Sequence, residues 1–199
     1  MEFQQKLEET RDLFFPARLP GEAGMTARNV DADTFRKEVT EIYAAVFTDR
    51  DAHPYNPNEE LAAEYRTLHR EHILIENSRG EVVGWVRGRM EDPDTFYLGT
   101  SGLLPEYRAQ GLAATGMPRF FEYLHTLGYE RVTSQHHPHN RAAMILQLKC
   151  GFSFEGINLD ERWGPMVKMV FFFGDGRRAE FERRFGFEQY PKTPQPAGR

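Results

Sequence analysis

The sequence predicts an α/β (α+β) fold of three layers, with a central mixed, mostly antiparallel sheet flanked by helices. Two observations carry this. Apolar residues switch repeatedly between helical and alternating spacing along the chain. Turn-linked neighbouring strands, which pair antiparallel, stand beside one strand–helix–strand crossover, which pairs parallel. At 199 residues and 40 % hydrophobic composition, the chain has room for one domain with a sizeable core.

Residues 1–24 read as an amino-terminal extension. Phe3, Leu7 and Phe14 recur at helical spacing before Pro16, Pro20 and Gly21 break the pattern. Residues 25–30 are strand-like. Asp31 then caps a helix whose apolar face is Phe35, Val39, Ile42, Tyr43 and Val46. After a polar loop at 49–55, a second helix is expected, with Asn56 as N-cap, Pro57 at the first position and Leu61, Tyr65 and Leu68 as its buried stripe. Residues 72–76 and 81–90 form a hairpin across Asn77-Ser78-Arg79-Gly80. A strand at 95–104 carries Gly99 and Gly102, which suggest a bulge or a close backbone approach. A helix over 111–128, a strand over 129–135, a helix from Asn140 to Gly151, and strands over 152–157 and 166–173 complete a domain spanning 25–173. Residues 174–199 form a carboxy-terminal extension. There Phe181 and Phe185 share a helical face that packs on the domain or meets a second subunit in a homodimer.

Composition narrows the function. Lys plus Arg number 25 against 30 Asp plus Glu, a net charge of −5, which argues against non-specific nucleic-acid binding. No run approaches the ~18 apolar residues of a membrane span. The amino terminus lacks a signal-peptide pattern, and the lone Cys150 excludes an intrachain disulfide or a cysteine-based zinc cluster. The expected setting is cytoplasmic, with no membrane partner.

The segment with chemical content is Leu103-Leu104-Pro105-Glu106-Tyr107-Arg108-Ala109-Gln110-Gly111-Leu112-Ala113. It leaves a strand, turns tightly and enters a helix. The first amides of a helix have no partner inside it, and the helix dipole makes that end partly positive, so such a terminus accepts phosphate. Arg108 adds a formal charge, and small residues at 111 and 113 permit close approach. Taken alone, the same residues also describe a mere tight turn.

A second motif lies in register with the first. Arg108-Ala109-Gln110-Gly111-Leu112-Ala113 resembles the Gln/Arg-x-x-Gly-x-Gly/Ala phosphate signature of the GCN5-related N-acetyltransferase (GNAT) superfamily. Further on, Asn140-Arg141-Ala142-Ala143 leading to Gly151-Phe152 resembles that family's Asn-x-x-Ala, helix, Gly-Phe. Val83-Gly84-Trp85-Val86 and Met166-Val167-Lys168-Met169 resemble its third and final strands, so the resemblance spans roughly residues 25–173.

The resemblance implies acetyl-CoA in a V-shaped gap between the strands at 95–104 and 129–135, and transfer of its acetyl group to a small-molecule or peptide amine. By analogy the pantetheine arm meets Leu103 and Leu104, and the pyrophosphate rests on Arg108, Ala109, Gln110, Gly111, Leu112 and Ala113. Thr115 adds a hydroxyl. Asn140 contacts the cofactor, caps its helix, or does both.

Two usual catalytic residues are missing. Where many members carry a tyrosine acid, this chain has Gln147, which has no dissociable proton. Where others carry a glutamate base, it has Tyr97, a weak base at neutral pH. His136, His137 and His139 follow the strand at 129–135, where a histidine can take a proton from an incoming ammonium or simply end the strand. Nearby ligand spacing gives no metal site, and His69 and His72 read as surface or partly buried residues at a helix end. The acceptor loops hold Asp49, Arg50, Asp51, His53 and Tyr55, and Asp160, Glu161, Arg162 and Trp163. Their acids and tryptophan suit a cationic amine or a solvated loop alike. Beside the N-acetyltransferase reading stand a non-catalytic acyl-CoA-binding module and a nucleotide-binding domain. The last lacks Gly-x-Gly-x-x-Gly and Gly-Lys-Ser/Thr loops.

Overall fold

The computed structural model describes residues 2–19, 24–47, 58–108 and 110–185. In chain order the elements are α1 (Glu2–Phe14), β1 (Ala17–Arg18), β2 (Thr26–Asn29), α2 (Ala32–Val46), α3 (Glu59–Thr67), β3 (Arg70–Glu76), β4 (Val82–Asp92) and β5 (Thr95–Leu103). After a 3₁₀ turn at Pro105–Tyr107 come α4 (Leu112–Leu127), β6 (Arg131–His136), α5 (Arg141–Lys149), β7 (Ser153–Asp160), β8 (Gly164–Phe172) and α6 (Asp175–Arg184).

All eight strands join one sheet in the order β1-β2-β3-β4-β5-β6-β8-β7. Every neighbouring pair is antiparallel except β5 and β6, which α4 connects as a parallel crossover. This is the predicted mixed, mostly antiparallel sheet between helical layers. One face is closed by α1, α4 and α5 over a core that includes Leu74's neighbours Ile73 and Ile75, together with Phe96, Leu124, Val132 and Met169. The other face is partly covered by α2, where Phe35 and Val39 pack on Leu74 and Trp85. Strand alternation separates the two sets, because successive side chains point to opposite faces.

Residues 2–19 are built into this architecture. Leu7, Phe14, Ala17 and Leu19 belong to the main core, and α1 packs along α4. At the other end, Phe181 of α6 is buried against Val170 and Phe172 of β8, while Phe185 stacks on Phe181 and remains half-exposed. Residues 186–199 lie outside the described part.

Three local expectations change. The second helix begins at Glu59, and Asn58 caps it by accepting the Leu61 amide at 3.0 Å. The anticipated cap Asn56, with Pro57, lies outside the described residues. Leu61, Tyr65 and Leu68 do not form a buried stripe: α3 has no buried residue, and Leu61 is 71 % exposed. Their face borders a groove instead of a core. His69 and His72 are not on a helix either: His69 immediately precedes β3 and is buried, and His72 sits within the strand.

Candidate functional site

β5 and β6 pair from Thr95↔Arg131 to Leu98↔Ser134 and no further. Beyond that point β5 continues on β4 as far as Leu103↔Gly84, and β6 continues on β8 through Gln135↔Lys168 and His136↔Val167. Each strand is held by its outer neighbour, so a wedge opens between residues 99–103 and 135–136. Gly102 helps seat this end of β5. A Cβ there would lie 2.6 Å from a Val46 methyl and 2.9 Å from the Trp85 ring, so only glycine lets α2 and Trp85 pack this closely.

The wedge leads to the start of α4. Gly111 takes a left-handed conformation, φ 75°, as its N-cap. A side chain there is strained by that φ but meets no protein atom within 4 Å, so the approach is open. The Leu112, Ala113 and Ala114 amides are first-turn donors with no acceptor in the helix, while the Thr115 amide donates to Gly111 O at 3.0 Å.

The other predicted cofactor residues are placed as follows. The Leu104 amide donates to Val83 O at 2.9 Å, toward β4; by alternation the backbone of Leu103 faces the wedge. Arg108 does not point its charge into open space. Its Nε donates to Leu103 O at 2.9 Å and its amide to Pro105 O at 3.1 Å, and Nη2 reaches Val46 O at 3.5 Å, so it ties the end of β5 to the end of α2. The Gln110 amide group returns to Glu106 O. The Thr115 hydroxyl donates back to Gly111 and Leu112 carbonyls within its own helix. Asn140 caps α5 by accepting the Ala143 amide at 3.3 Å. Ala109 lies outside the described residues.

The three histidines separate. His137 and His139 stack on each other with centroids 5.2 Å apart and line an open groove of about 1710 Å³. His136 alternates to the α4–α5 side, where its Nε2 is buried with no hydrogen-bond partner among the described residues. Burial pulls its pKa below the ordinary value, against a hydrogen bond with Gln147, so the ring is neutral at pH 7. Gln147 is itself buried, and its Oε1 accepts from Ser134 Oγ at 2.6 Å. Tyr97 lies under the Arg89 guanidinium, 4.9 Å from its ring centroid. Burial pushes its phenol further up despite that charge, which keeps it protonated and so unavailable as a base. Among the described residues no cluster of His, Cys, Asp or Glu can hold a metal.

The groove runs between α2, α3 and the exposed face of β3 and β4, and ends at Thr100, His137 and His139 beside the wedge. Arg162 and Trp163 border it as expected. The Asp160 carboxylate, however, is bound to the Arg162 and Trp163 amides and to the Arg162 side chain. The first acceptor loop lies outside the described residues. The sequence reading missed the residues of the groove floor, Arg70 and His72 of β3 and Trp85, Arg87 and Arg89 of β4. Their i, i+2 spacing was the available signal.

Residues 36–152 match the model of the acetyltransferase (GNAT) family. A comparison with curated proteins finds no match. Among solved structures, the chain is similar to the ribosomal-protein-S18-alanine N-acetyltransferase of Escherichia coli, with a TM-score of 0.58 and 15 % identity over 75 % of this chain and 94 % of that one. It is also similar to a spermidine N-acetyltransferase of Vibrio cholerae solved with CoA and spermine, with a TM-score of 0.54 and 19 % identity over 74 % and 95 %. A spermidine N-acetyltransferase chimera from Vibrio cholerae and hSSAT gives 0.57 and 18 % over 79 % and 97 %.

Proposed function

The chain belongs to the acetyltransferase (GNAT) family and is an N-acetyltransferase, and we propose that it moves the acetyl group of acetyl-CoA to an amine by direct attack in a ternary complex. One observation carries this reading. The β5–β6 pairing stops at Leu98↔Ser134, with an open helix N-terminus at Gly111 following β5 and a substrate-sized groove reaching Thr100, His137 and His139 beside the gap.

The residues present fit the cofactor. The first-turn amides of α4 have no acceptor within the helix and suit pyrophosphate oxygens, and Gly111 leaves their approach clear. The wedge-facing backbone of Leu103 offers strand-like pairing to the pantetheine amides. Leu104 and Arg108 hold this edge in place, through Val83 O and Leu103 O. Asn140 and Thr115 complete the surround. When bound, acetyl-CoA supplies a thioester carbonyl for the amine to attack and a thiolate leaving group.

Gln147 has no proton to donate to that leaving group, so positioning carries much of the rate. The acceptor amine must enter neutral. His137 and His139 stand at the groove end, where they can receive its proton directly or through water. Neutral His136 offers a buried ring nitrogen on the cofactor side of the wedge. The spermine of the Vibrio cholerae neighbour is not carried over to this chain, because the described groove lining holds no carboxylate.

The test is twofold. With acetyl-CoA and a panel of primary amines, free thiol is released; a module that only binds the cofactor releases none. In Gly111→Glu, a carboxylate projects toward the phosphate position from a strained residue, and calorimetry shows at least a tenfold weaker acetyl-CoA affinity. Undiminished affinity removes the site from residues 103–115.

A further inference from the structure

We propose that the acceptor amine also carries a carboxylate or a phosphate, and that Arg70, Arg87 and Arg89 on the groove floor bind it. The proposal rests on the acetyltransferase reading above and deepens it by naming the substrate class.

The floor is two adjacent antiparallel strands seen from their exposed face. Arg70 stands directly across from Arg89, and His72 directly across from Arg87. Arg70 and Arg89 are like charges in directly opposed positions and repel, and Arg87 adds to the repulsion on Arg70, so this cluster is unfavourable for folding unless an anion joins it. No carboxylate among the described residues lines the groove.

The other arginines of the groove differ in this respect. Arg36 pairs with Asp33, Arg66 with Glu59 and Arg162 with Asp160. The floor arginines have no such partner. Arg87 has no hydrogen bond or ion pair among the described residues. Arg70 donates from Nη2 to Tyr65 O at 2.7 Å, and its Nε is buried without a partner. Arg89 donates from Nη1 to Met90 O.

Arg70 and Arg89 are nevertheless held in position. The Tyr65 ring lies 4.6 Å from the Arg70 guanidinium and 5.1 Å from that of Arg89, and Tyr97 lies 4.9 Å below Arg89. Orientation by aromatic rings leaves N–H donors free for a planar or tetrahedral anion. A cationic cluster that is oriented but not neutralised is suited to a ligand that brings the negative charge.

The position also sets the size of the acceptor. Arg87 pairs with Thr100, and the wedge begins on the far side of β5. An anion over β4 and an amine at the wedge are thus about two strand spacings apart, roughly 10 Å. That describes a long ω-amino acid or aminoalkyl phosphate, with the amine and the anion several bonds apart, and sets a polyamine aside by charge.

The experiment measures thiol release with matched pairs: ω-amino acids of increasing length against the same amines without the carboxylate, a long aminoalkyl phosphate against its aminoalcohol, and spermidine as the polycation. Acetyl-CoA affinity is measured separately by calorimetry. The anionic members are expected to have at least tenfold higher kcat/KM than their partners. Arg87→Gln and Arg89→Gln should each lower that value tenfold or more through KM. Both variants should leave acetyl-CoA affinity within about threefold of the parent. If acetyl-CoA binds but the uncharged or polycationic amines are preferred, or no anionic amine reacts, or the arginine variants keep the parent's preference, the proposal is overturned and the acetyl-CoA site stands. Absence of acetyl-CoA binding overturns the underlying reading instead.

Discussion

Glu71 is a direct neighbour of Arg70 and His72 on one strand, yet the two sides of that strand treat charge in opposite ways. Toward α1 and α4, Glu71 is fully buried and saturated. Its Oε1 receives the Arg11 guanidinium at 3.0 Å, His69 Nε2 and the Tyr123 hydroxyl, and its Oε2 receives the Asn29 amide. The His69 Nδ1 is bonded in turn to the Tyr129 hydroxyl at 2.6 Å. Toward α2 and α3, Arg70, His72, Arg87 and Arg89 face one another without a carboxylate. The closed side joins five segments of chain and rigidifies the fold; the open side leaves its charge for a ligand. Satisfied polar groups indicate structure here, and unsatisfied ones indicate binding.

The largest expected effect lies on the closed side. Glu71→Gln leaves Arg11 and His69 facing a neutral amide in a buried setting, and equilibrium urea unfolding should show a loss of about 3 kcal/mol. A loss below ~1 kcal/mol would mean the cluster does not hold α1 to the sheet. The same residue sets an acid limb. Burial alone would raise the Glu71 carboxyl, but His69, Arg11 and Tyr123 outweigh it and hold its pKa below the ordinary 4.5. In that interval the unfolded chain binds the extra proton. Stability from Glu71 is therefore complete above about 4.5 and is lost as pH falls through the lower folded value. Glu71→Gln should flatten that limb.

Little of this contrast was legible beforehand. Alternation along Arg70-Glu71-His72 assigns opposite faces, but a glutamate is rarely the buried member. The partners of Glu71 come from α1, β2, the residue before β3 and α4, segments that only the fold brings together. For the same reason residues 1–24 read as an extension, although Leu7 and Phe14 lie in the core. The elements, the crossover and the turn into α4 were legible, because period, Gly111 and the cap at Asp31 are local signals. In α3 the local signal misled: the spacing of Leu61, Tyr65 and Leu68 marks an amphipathic face, but spacing cannot tell a groove from a core.

A smaller effect is expected at Gln147, which is structurally part of the closed side although it borders the wedge. Gln147→Ala removes the acceptor of Ser134 Oγ and a neighbour of His136 without removing a proton donor. Turnover measured at saturating acetyl-CoA should fall less than tenfold. A thousandfold fall, ~4 kcal/mol of barrier, would assign Gln147 a direct part in the chemistry.

The division between the two sides is tested most directly by unfolding Arg87→Gln in urea under the conditions used for the parent. Arg87 has no ion pair among the described residues to lose, faces His72 across the strands and helps hold the pKa of that imidazole down, after burial. The predicted result is a stability within ~0.5 kcal/mol of the parent or above it, because removing this unpaired cation relieves its repulsion with Arg70. A loss above ~1.5 kcal/mol would show that Arg87 is a structural cation, and would contradict an open face kept for a ligand.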